Sequence, residues 1–177
     1  GETAQRVLRL LGVTAGETVL VHAAAGGVGG IAVQLAVSRG ATVVGTASPG
    51  NHDYLRSLGA VPVTYGDGLA ERVRALAPQG VDAVFDAAGR DALPASIELR
   101  AGTGRIITIA DNSAAEFGVP FSSSGPRTRD GLDELAALVT GGRLRIEVAQ
   151  TFALADAGKA QEHSASGHTR GKLLIHP

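Results

Sequence analysis

The stretch VLVHAAAGGVGG, residues 19–30, decides the fold of this protein. It sets three alanines and four glycines directly behind a short apolar run that is rich in β-branched residues. Such a run is typical of a buried parallel strand. Residues 28–39 then repeat apolar side chains at helical spacing, and Gly40 follows as the expected residue after the helix end. The stretch therefore predicts a strand and a helix joined by a turn of nearly bare backbone.

The alternation of strand-like and helix-like patterns continues along the chain. Strands are predicted at residues 18–23, 41–47, 61–65, 81–87, 104–110 and 144–149, and helices at 28–39, 52–58, 69–77, 92–100 and 131–141. Strands separated by helices of this length are joined by right-handed crossovers, which produce a parallel sheet covered on both faces. The sequence thus predicts an α/β fold: a doubly wound parallel Rossmann sheet with strand order 3-2-1-4-5-6.

Two segments depart from this alternation. Residues 111–129 form a long connection that contains Phe117 and Phe121, which is typical of a lid, a partner-contact segment or partly extended structure. From about residue 150 the chain contains a helix-sized piece and an apolar strand. We therefore expect a dinucleotide-binding domain over 1–150 and a tail over 151–177.

Composition excludes several classes of function. The 177 residues carry a formal net charge of −1 without a block of like charge, which argues against a nucleic-acid partner. No apolar stretch is long enough to cross a membrane, and no signal peptide is present, so we expect a cytoplasmic protein. The chain has no cysteine and therefore no thiolate metal ligand or cysteine nucleophile. His22 is expected to be a packed or capping histidine rather than a metal ligand. The absence of methionine indicates a processed chain or a piece of a longer one.

The glycine-rich turn is a candidate anion site. Main-chain amides at a helix N-terminus are unpaired and partly positive, so they attract a diphosphate where side chains are small. Ala25, Gly26, Gly27 and Val28 form this turn, and Gly29 would let the helix lie close to the strand. The Gly-x-Gly-x-x-Gly pattern is incomplete because Ala24 stands first. A tight turn without a ligand therefore stays an alternative.

The end of the second strand bears on the type of dinucleotide. NAD-selective sites place a carboxylate there to accept the ribose hydroxyls. Residues 45–48 are Gly, Thr, Ala and Ser, which favours NADP, with Thr46, Ser48 and His52 as candidate contacts. Ser48 has an alternative role as the cap of the following helix.

Several motifs in order along the chain resemble one family. They are AAGGVG at 24–29, SLGA at 57–60, Tyr65, FDAAGRDALPASIELRAGTGRIITIA at 85–110 and GHTRGKLLI at 167–175. Together they resemble the medium-chain dehydrogenase/reductase superfamily, most closely its zinc-independent quinone oxidoreductase and enoyl reductase branch.

The resemblance implies roles for individual residues. The alanine–glycine loop would bind the diphosphate of the cofactor, and Ser48 and Tyr65 would hold the 2′-phosphate of NADP. Ala87 and Ala88 would face the cofactor ribose. Residues lying beside the nicotinamide would be Ile109, Ala110 and Asp111. The lysine usual near residues 51–52 is missing here. Tyr65 as a sheet-edge residue and Asp86 as a turn cap are the alternatives.

The resemblance also implies a domain that these residues do not contain. Members carry an N-terminal GroES-like catalytic domain, so the catalytic residues are unknown and the isolated chain is expected to be inactive. The tail over 151–177 resembles the segment that returns to that domain.

The expected function follows from the same resemblance. It is NADPH-dependent hydride transfer, without a metal, to a small quinone or α,β-unsaturated carbonyl. Alternatives are an enoyl reductase unit of a polyketide synthase and a non-catalytic NADP-binding structural or sensing relative. The alternation of Ile146 and Val148 at the last strand predicts a homodimer through that strand.

Overall fold

The computed structural model describes residues 1–89, 91–125, 129–167 and 169–177. Five parallel strands form the main sheet in the order β3-β2-β1-β4-β5, and two further strands form a separate parallel sheet. The strands are β1 Thr18–His22, β2 Thr42–Thr46, β3 Val61–Val63, β4 Val81–Asp86, β5 Arg100–Thr108, β6 Val148–Ala153 and β7 Lys172–His176. The α-helices are α1 Glu2–Leu10, α2 Gly29–Ser38, α3 His52–Ser57, α4 Leu69–Leu76, α5 Ala92–Leu99, α6 Arg129–Thr140 and α7 Ala157–Ala165. Short 3₁₀ turns occupy Pro49–Asn51, Ala114–Phe117 and Leu154–Asp156.

The main sheet is buried on both faces, as the apolar runs predicted. Along β1, Val19 and Val21 lie in one core cluster with α1, α2 and α3, while Leu20 lies in a second cluster with α4 and α5. All three side chains are fully buried. Successive side chains of a strand point to opposite faces, so a strand covered twice must be apolar at every position. This confirms the α/β class and the doubly wound arrangement.

Small residues allow α2 to lie close to β1. A Cβ at Gly29 would overlap the carbonyl oxygen of Ala23, and one at Gly45 would lie 2.8 Å from the Cβ of Ala24. Gly40 follows the helix end with φ +82°, which confirms it as the residue that leaves the helix in a left-handed conformation. The glycines therefore bring the helix N-terminus against the carboxyl end of the strand.

The place beside β5 is taken by a short extended segment. Thr108 forms a parallel bridge with Phe121, its amide donates to Pro120 O at 3.1 Å, and its carbonyl accepts from Ser122 N at 2.9 Å. The connection over 111–129 is thus partly extended where it passes the sheet; its residues 126–128 lie outside the described part. The predicted order is confirmed over the five strands, with this segment next in line.

The prediction of a sheet strand at 144–149 is wrong in its position and its partner. Leu144 is buried, and the main-chain amide and carbonyl of Arg145 are bonded to the side chain of Gln34 at 2.7 and 2.9 Å. These bonds occupy the main-chain amide and carbonyl that a strand would use to pair with a neighbouring strand. The strand β6 begins at Val148 and pairs with β7 instead. The homodimer proposed through this segment stays a prediction.

The tail lies across the main body at the glycine-rich turn. The amide of Gly171 donates to Ala25 O at 3.0 Å, and Gly171 bridges Gly26. The guanidinium carbons of Arg145 and Arg170 each lie 5.4 Å from the ring centre of Tyr54. Within the described residues, no helix is both long and apolar enough to span a membrane. The division of the chain at residue 150 stays a prediction.

Candidate nucleotide site

A cleft of about 930 Å³ opens where β1, β2 and β4 end. Ligands of open α/β sheets bind at this carboxyl edge, where the strand order reverses. Seven predicted site residues line the cleft: Ala25, Gly26, Thr46, Ser48, Tyr65, Ala87 and Ala88. A second cavity of about 710 Å³, on the other side of the glycine-rich turn, is lined by Gly26, Gly27, Val28 and Ala87.

The glycine-rich turn presents an unpaired amide. Ala23 has φ +51°, a left-handed conformation that non-glycine residues seldom adopt, and Gly26 N donates back to Ala23 O at 2.9 Å. The amide of Val28 donates to no acceptor within the part of the chain that the structure describes, and that of Gly27 faces Gly171 O across the parallel bridge between Gly26 and Gly171. They precede the first residue of α2, so the partial positive charge of the helix end adds to theirs. The turn can accept an anion without a side chain in the way.

The tail brings a cation to this turn. A Cβ at Gly27 would lie 2.8 Å from Gly171 O and 2.8 Å from Cδ of Lys172. Lys172 has no ion pair among the described residues, and it lines the second cavity. Thr169 lines both cavities, and its buried Oγ1 has no hydrogen-bond partner in the described part of the chain. A bare turn, a free amide at the helix start and an unpaired ammonium group together fit a diphosphate.

Sequence reasoning missed Lys172 and Thr169. Both lie within the motif GHTRGKLLI, which was used to identify the family but not to assign site residues. The spacing of residues along the chain does not predict that Lys172 and Thr169 lie beside a turn so far away in sequence. Only the family motif that contains them could have pointed to them.

The cleft wall at β2 and β3 is polar. Asn51 Nδ2 donates to Ser48 Oγ at 3.1 Å, and Tyr65 is half exposed. No carboxylate follows β2 directly, but Asp67, two residues after Tyr65, and Glu71 in α4 also line the cleft. Arg74 of α4 lines the cleft too and is paired with Glu98 at 2.6 Å.

His52 lies away from this wall. It does not line the cleft, and its Nε2 is 3.5 Å from Thr64 Oγ1. Its assignment as a cofactor contact stays a prediction.

Behind the cleft, the turns after β4 and β5 are held by buried side chains. Asp86 Oδ1 accepts from Ala88 N at 2.9 Å and from Gly89 N at 3.0 Å. Thr108 Oγ1 accepts from Ala110 N and Asp111 N. The turn cap expected of Asp86 is therefore present. Ile109, Ala110 and Asp111 line neither cavity, and their contact with a nicotinamide stays a prediction.

His22 lies at the bottom of the cleft. It is only 2% exposed, and burial lowers its pKa to about 4 although Asp86 opposes that shift. Its two ring nitrogens contact Ser96 and Thr46, as expected of a packed histidine. In the described residues no three histidine or acidic side chains come together as a metal site.

Comparisons with known proteins agree with this geometry. A family model described as zinc-binding dehydrogenase matches residues 58–175. The chain is similar to a quinone oxidoreductase structure from Coxiella burnetii, with 37% identity, a TM-score of 0.89, and coverage of 99% of this chain and 57% of that one. It is also similar to the Escherichia coli quinone oxidoreductase complexed with NADPH, with 26% identity, a TM-score of 0.84, and coverage of 99% and 62%.

A polyketide synthase is similar as well. The spectinabilin polyketide synthase system protein NorB of Streptomyces orinoci is 37% identical over 185 residues, which cover 94% of this chain and 8% of that protein. The chain spans less than two thirds of the length of each of these relatives.

Proposed function

Because the chain belongs to the medium-chain dehydrogenase/reductase superfamily, with the zinc-binding dehydrogenase model matching residues 58–175, we propose that it is the NADPH-binding domain of an oxidoreductase. The reaction proposed is hydride transfer to a quinone or an α,β-unsaturated carbonyl. The reduced nicotinamide supplies the hydride when it is bound. The chain supplies binding and orientation of the cofactor, in a cytoplasmic protein that uses no metal.

One observation carries the proposal: the free amide of Val28, at the start of α2, lies at the cavity of about 710 Å³, which shares Gly26 with the cleft of about 930 Å³. In this proposal Val28 donates to the diphosphate, and Lys172 neutralises part of its charge. The N-terminus of a helix favours an anion both through its free amides and through the helix dipole. Ala87 and Ala88 then form the wall on the far side of the turn.

The preference for NADP rests on the wall at β2 and β3. Ser48, Asn51 and Tyr65 offer hydroxyl and amide donors to a 2′-phosphate, and residues 45–48 contain no carboxylate that would repel it. The E. coli relative was solved with NADPH. Asp67 and Glu71, which line the same cleft, weaken the electrostatic preference, so the discrimination against NADH is expected to be modest.

Calorimetric titration of the 177-residue chain with NADPH and NADH tests the proposal. We expect binding of NADPH, weaker binding of NADH, and at least tenfold loss of NADPH affinity in Gly26→Val, whose side chain would fill the turn between the two cavities. Gly158→Ala is the matched control, since a Cβ there meets nothing within 4 Å. A folded chain that binds neither nucleotide would rule the proposal out.

A second candidate is an enoyl reductase unit of a polyketide synthase, favoured by the 37% identity to NorB. The two candidates differ in substrate: a free quinone for one and an enoyl thioester on a carrier protein for the other. Turnover of the parent protein on each substrate separates them. The 177-residue chain alone is expected to turn over neither, because it spans only 57% and 62% of the two quinone oxidoreductases.

A further inference from the structure

The last residues of four neighbouring strands form a buried polar row. They are Thr46 in β2, His22 in β1, Asp86 in β4 and Thr108 in β5. His22 pairs with Asp86, and Asp86 with Thr108, in the parallel register, while Val21 beside Gly45 sets Thr46 next to His22. None of the four is more than 2% exposed. Every other residue of β1 after Thr18 is apolar, so β1 becomes polar where it gives way to the cleft.

The partners of His22 assign its proton. Thr46 Oγ1 accepts from Ala23 N at 3.2 Å, so its own proton is free to point to Nδ1 of His22 at 3.4 Å. Ser96 Oγ donates to Ala92 O at 2.7 Å, so it accepts from Nε2 of His22 at 2.9 Å. Each hydroxyl thus donates once and accepts once. This arrangement requires a neutral imidazole with its proton on Nε2.

The same row reaches the glycine-rich turn that carries the free amide of Val28. Ala23 is the residue with φ +51°, and Thr46 holds it by the side-chain bond while Thr46 O accepts from Ala24 N at 3.0 Å. A strained conformation persists only where its surroundings fix it. Without the Thr46 hydroxyl, Ala23 N would lose its acceptor, and the start of the turn would be released.

We infer that His22 is a positioning residue for the diphosphate turn, acting through Thr46 as the neutral Nε2–H tautomer. It ties the turn to α5 through Ser96, while Asp86 and Thr108, joined by a bond of 2.6 Å, hold the turns after β4 and β5. The burial that lowers the pKa of His22 keeps the imidazole neutral at neutral pH, and the partners of its two nitrogens select the tautomer. The inference takes its ligand from the proposed function, but the proton position does not depend on any ligand.

The first test compares two variants of Thr46 in the 177-residue chain. Thr46→Ser keeps the hydroxyl, and Thr46→Val keeps the shape without it. We expect the valine variant to bind NADPH at least tenfold more weakly than the serine variant. Equal NADPH affinity in a folded valine variant would overturn the inference.

The second test reads the proton directly. Nitrogen-15 spectra of histidine-labelled protein should show His22 protonated on Nε2 and not on Nδ1 at neutral pH. A merely space-filling histidine has no reason to hold one tautomer, so a proton on Nδ1 would overturn the inference even if Thr46→Val does not fold.

If the parent chain does not bind NADPH, the proposed function fails and the inference is decided by hydrogen exchange. Amide exchange at Ala23 and Ala24 should then be at least tenfold faster in Thr46→Val than in Thr46→Ser. Equal exchange rates in the two variants would contradict it.

Discussion

The main sheet and the β6–β7 sheet are both parallel, yet they are stabilised in different ways. In β1, four of the five residues are buried and the fifth is half-buried; in β6 and β7 the burial is reversed, and Phe152 and Leu173 are the only residues that are even half-buried. Burial of apolar side chains is the dominant favourable contribution to folding. The main sheet therefore has its own core, whereas the small sheet depends on hydrogen bonds and on contacts with the glycine-rich turn.

The contrast matters because β7 and the residues before it bring Lys172 and Thr169 to the glycine-rich turn. A region with little burial opens at lower free energy than the core. The tail can therefore leave the turn without unfolding the main sheet, and the following experiments test that separation.

The largest expected effect is on the core. Phe85→Ala in β4 removes a ring with no exposed surface and should lower the free energy of unfolding by about 3–5 kcal/mol. The matched change, Phe152→Ala in half-exposed β6, should cost less than about 1 kcal/mol. Urea denaturation measures both. Similar losses in the two variants would show that the small sheet has a core of its own.

The next effect is a pH dependence of the free energy of unfolding, which we expect from His22 in the main sheet. Because the pKa of His22 is about 4 in the folded chain and 6.5 in its usual state, the unfolded chain binds the proton more readily. The stabilisation that neutral His22 contributes is complete above pH 6.5. It is lost as the pH falls from 6.5 through 4, and the free energy of unfolding decreases by roughly 3 kcal/mol in total. Urea denaturation at several pH values, parent minus His22→Asn, isolates it. His163→Asn in α7 is the control and should follow the parent; a pH-independent difference for His22→Asn would contradict the assignment.

A smaller effect separates the tail from the turn. Gly171 has φ +80°, and a Cβ there would overlap the carbonyl oxygen of Glu147, so Gly171→Ala should strain the tail by about 1–2 kcal/mol. Hydrogen exchange should become faster at residues 171–176 and stay unchanged in β1 and β4. Gly158→Ala provides the control. Faster exchange throughout the main sheet would mean that the two regions unfold together.

The smallest effect concerns surface ion pairs, which should be equally weak in both regions. Arg9 pairs with Glu134 beside the main sheet, and Lys159 pairs with Asp156 in the tail; all four side chains are at least 42% exposed. Arg9→Ala and Lys159→Ala should each change the free energy of unfolding by less than about 0.5 kcal/mol. A larger loss in the tail variant would mean that charge, and not only hydrogen bonding, holds the small sheet in place.

The fold could be predicted from the sequence where the strands are buried on both faces of the sheet. Continuous apolar runs such as VLV at 19–21 have no alternative to a buried strand, so the strands of the main sheet were predicted to within a few residues at their ends. The segment 144–149 also alternates apolar residues, but side-chain bonds from Gln34 capture its main chain and delay the strand to Val148. Alternation of apolar residues cannot report such a distant hydrogen-bond partner.

The candidate site could likewise be predicted from the sequence only in part. The turn at 25–28 follows from local composition, because only small residues leave amides open to a ligand. Ser48 and Tyr65 also face the cleft, whereas His52, at a neighbouring position in sequence, turns to Thr64. The direction of a side chain at the end of a strand depends on the next element, which the sequence pattern does not specify.

The order of apolar, glycine and alanine residues was sufficient for the class of fold and the position of the glycine-rich turn, and the ordered motifs were sufficient for the family. These depend on local geometry and on periodicity, which neighbouring residues determine together. Folding was required to set Lys172 over Gly27 and to align Thr46, His22, Asp86 and Thr108 in one row. Those contacts join residues that are far apart along the chain, and their energy exists only after the strands have paired.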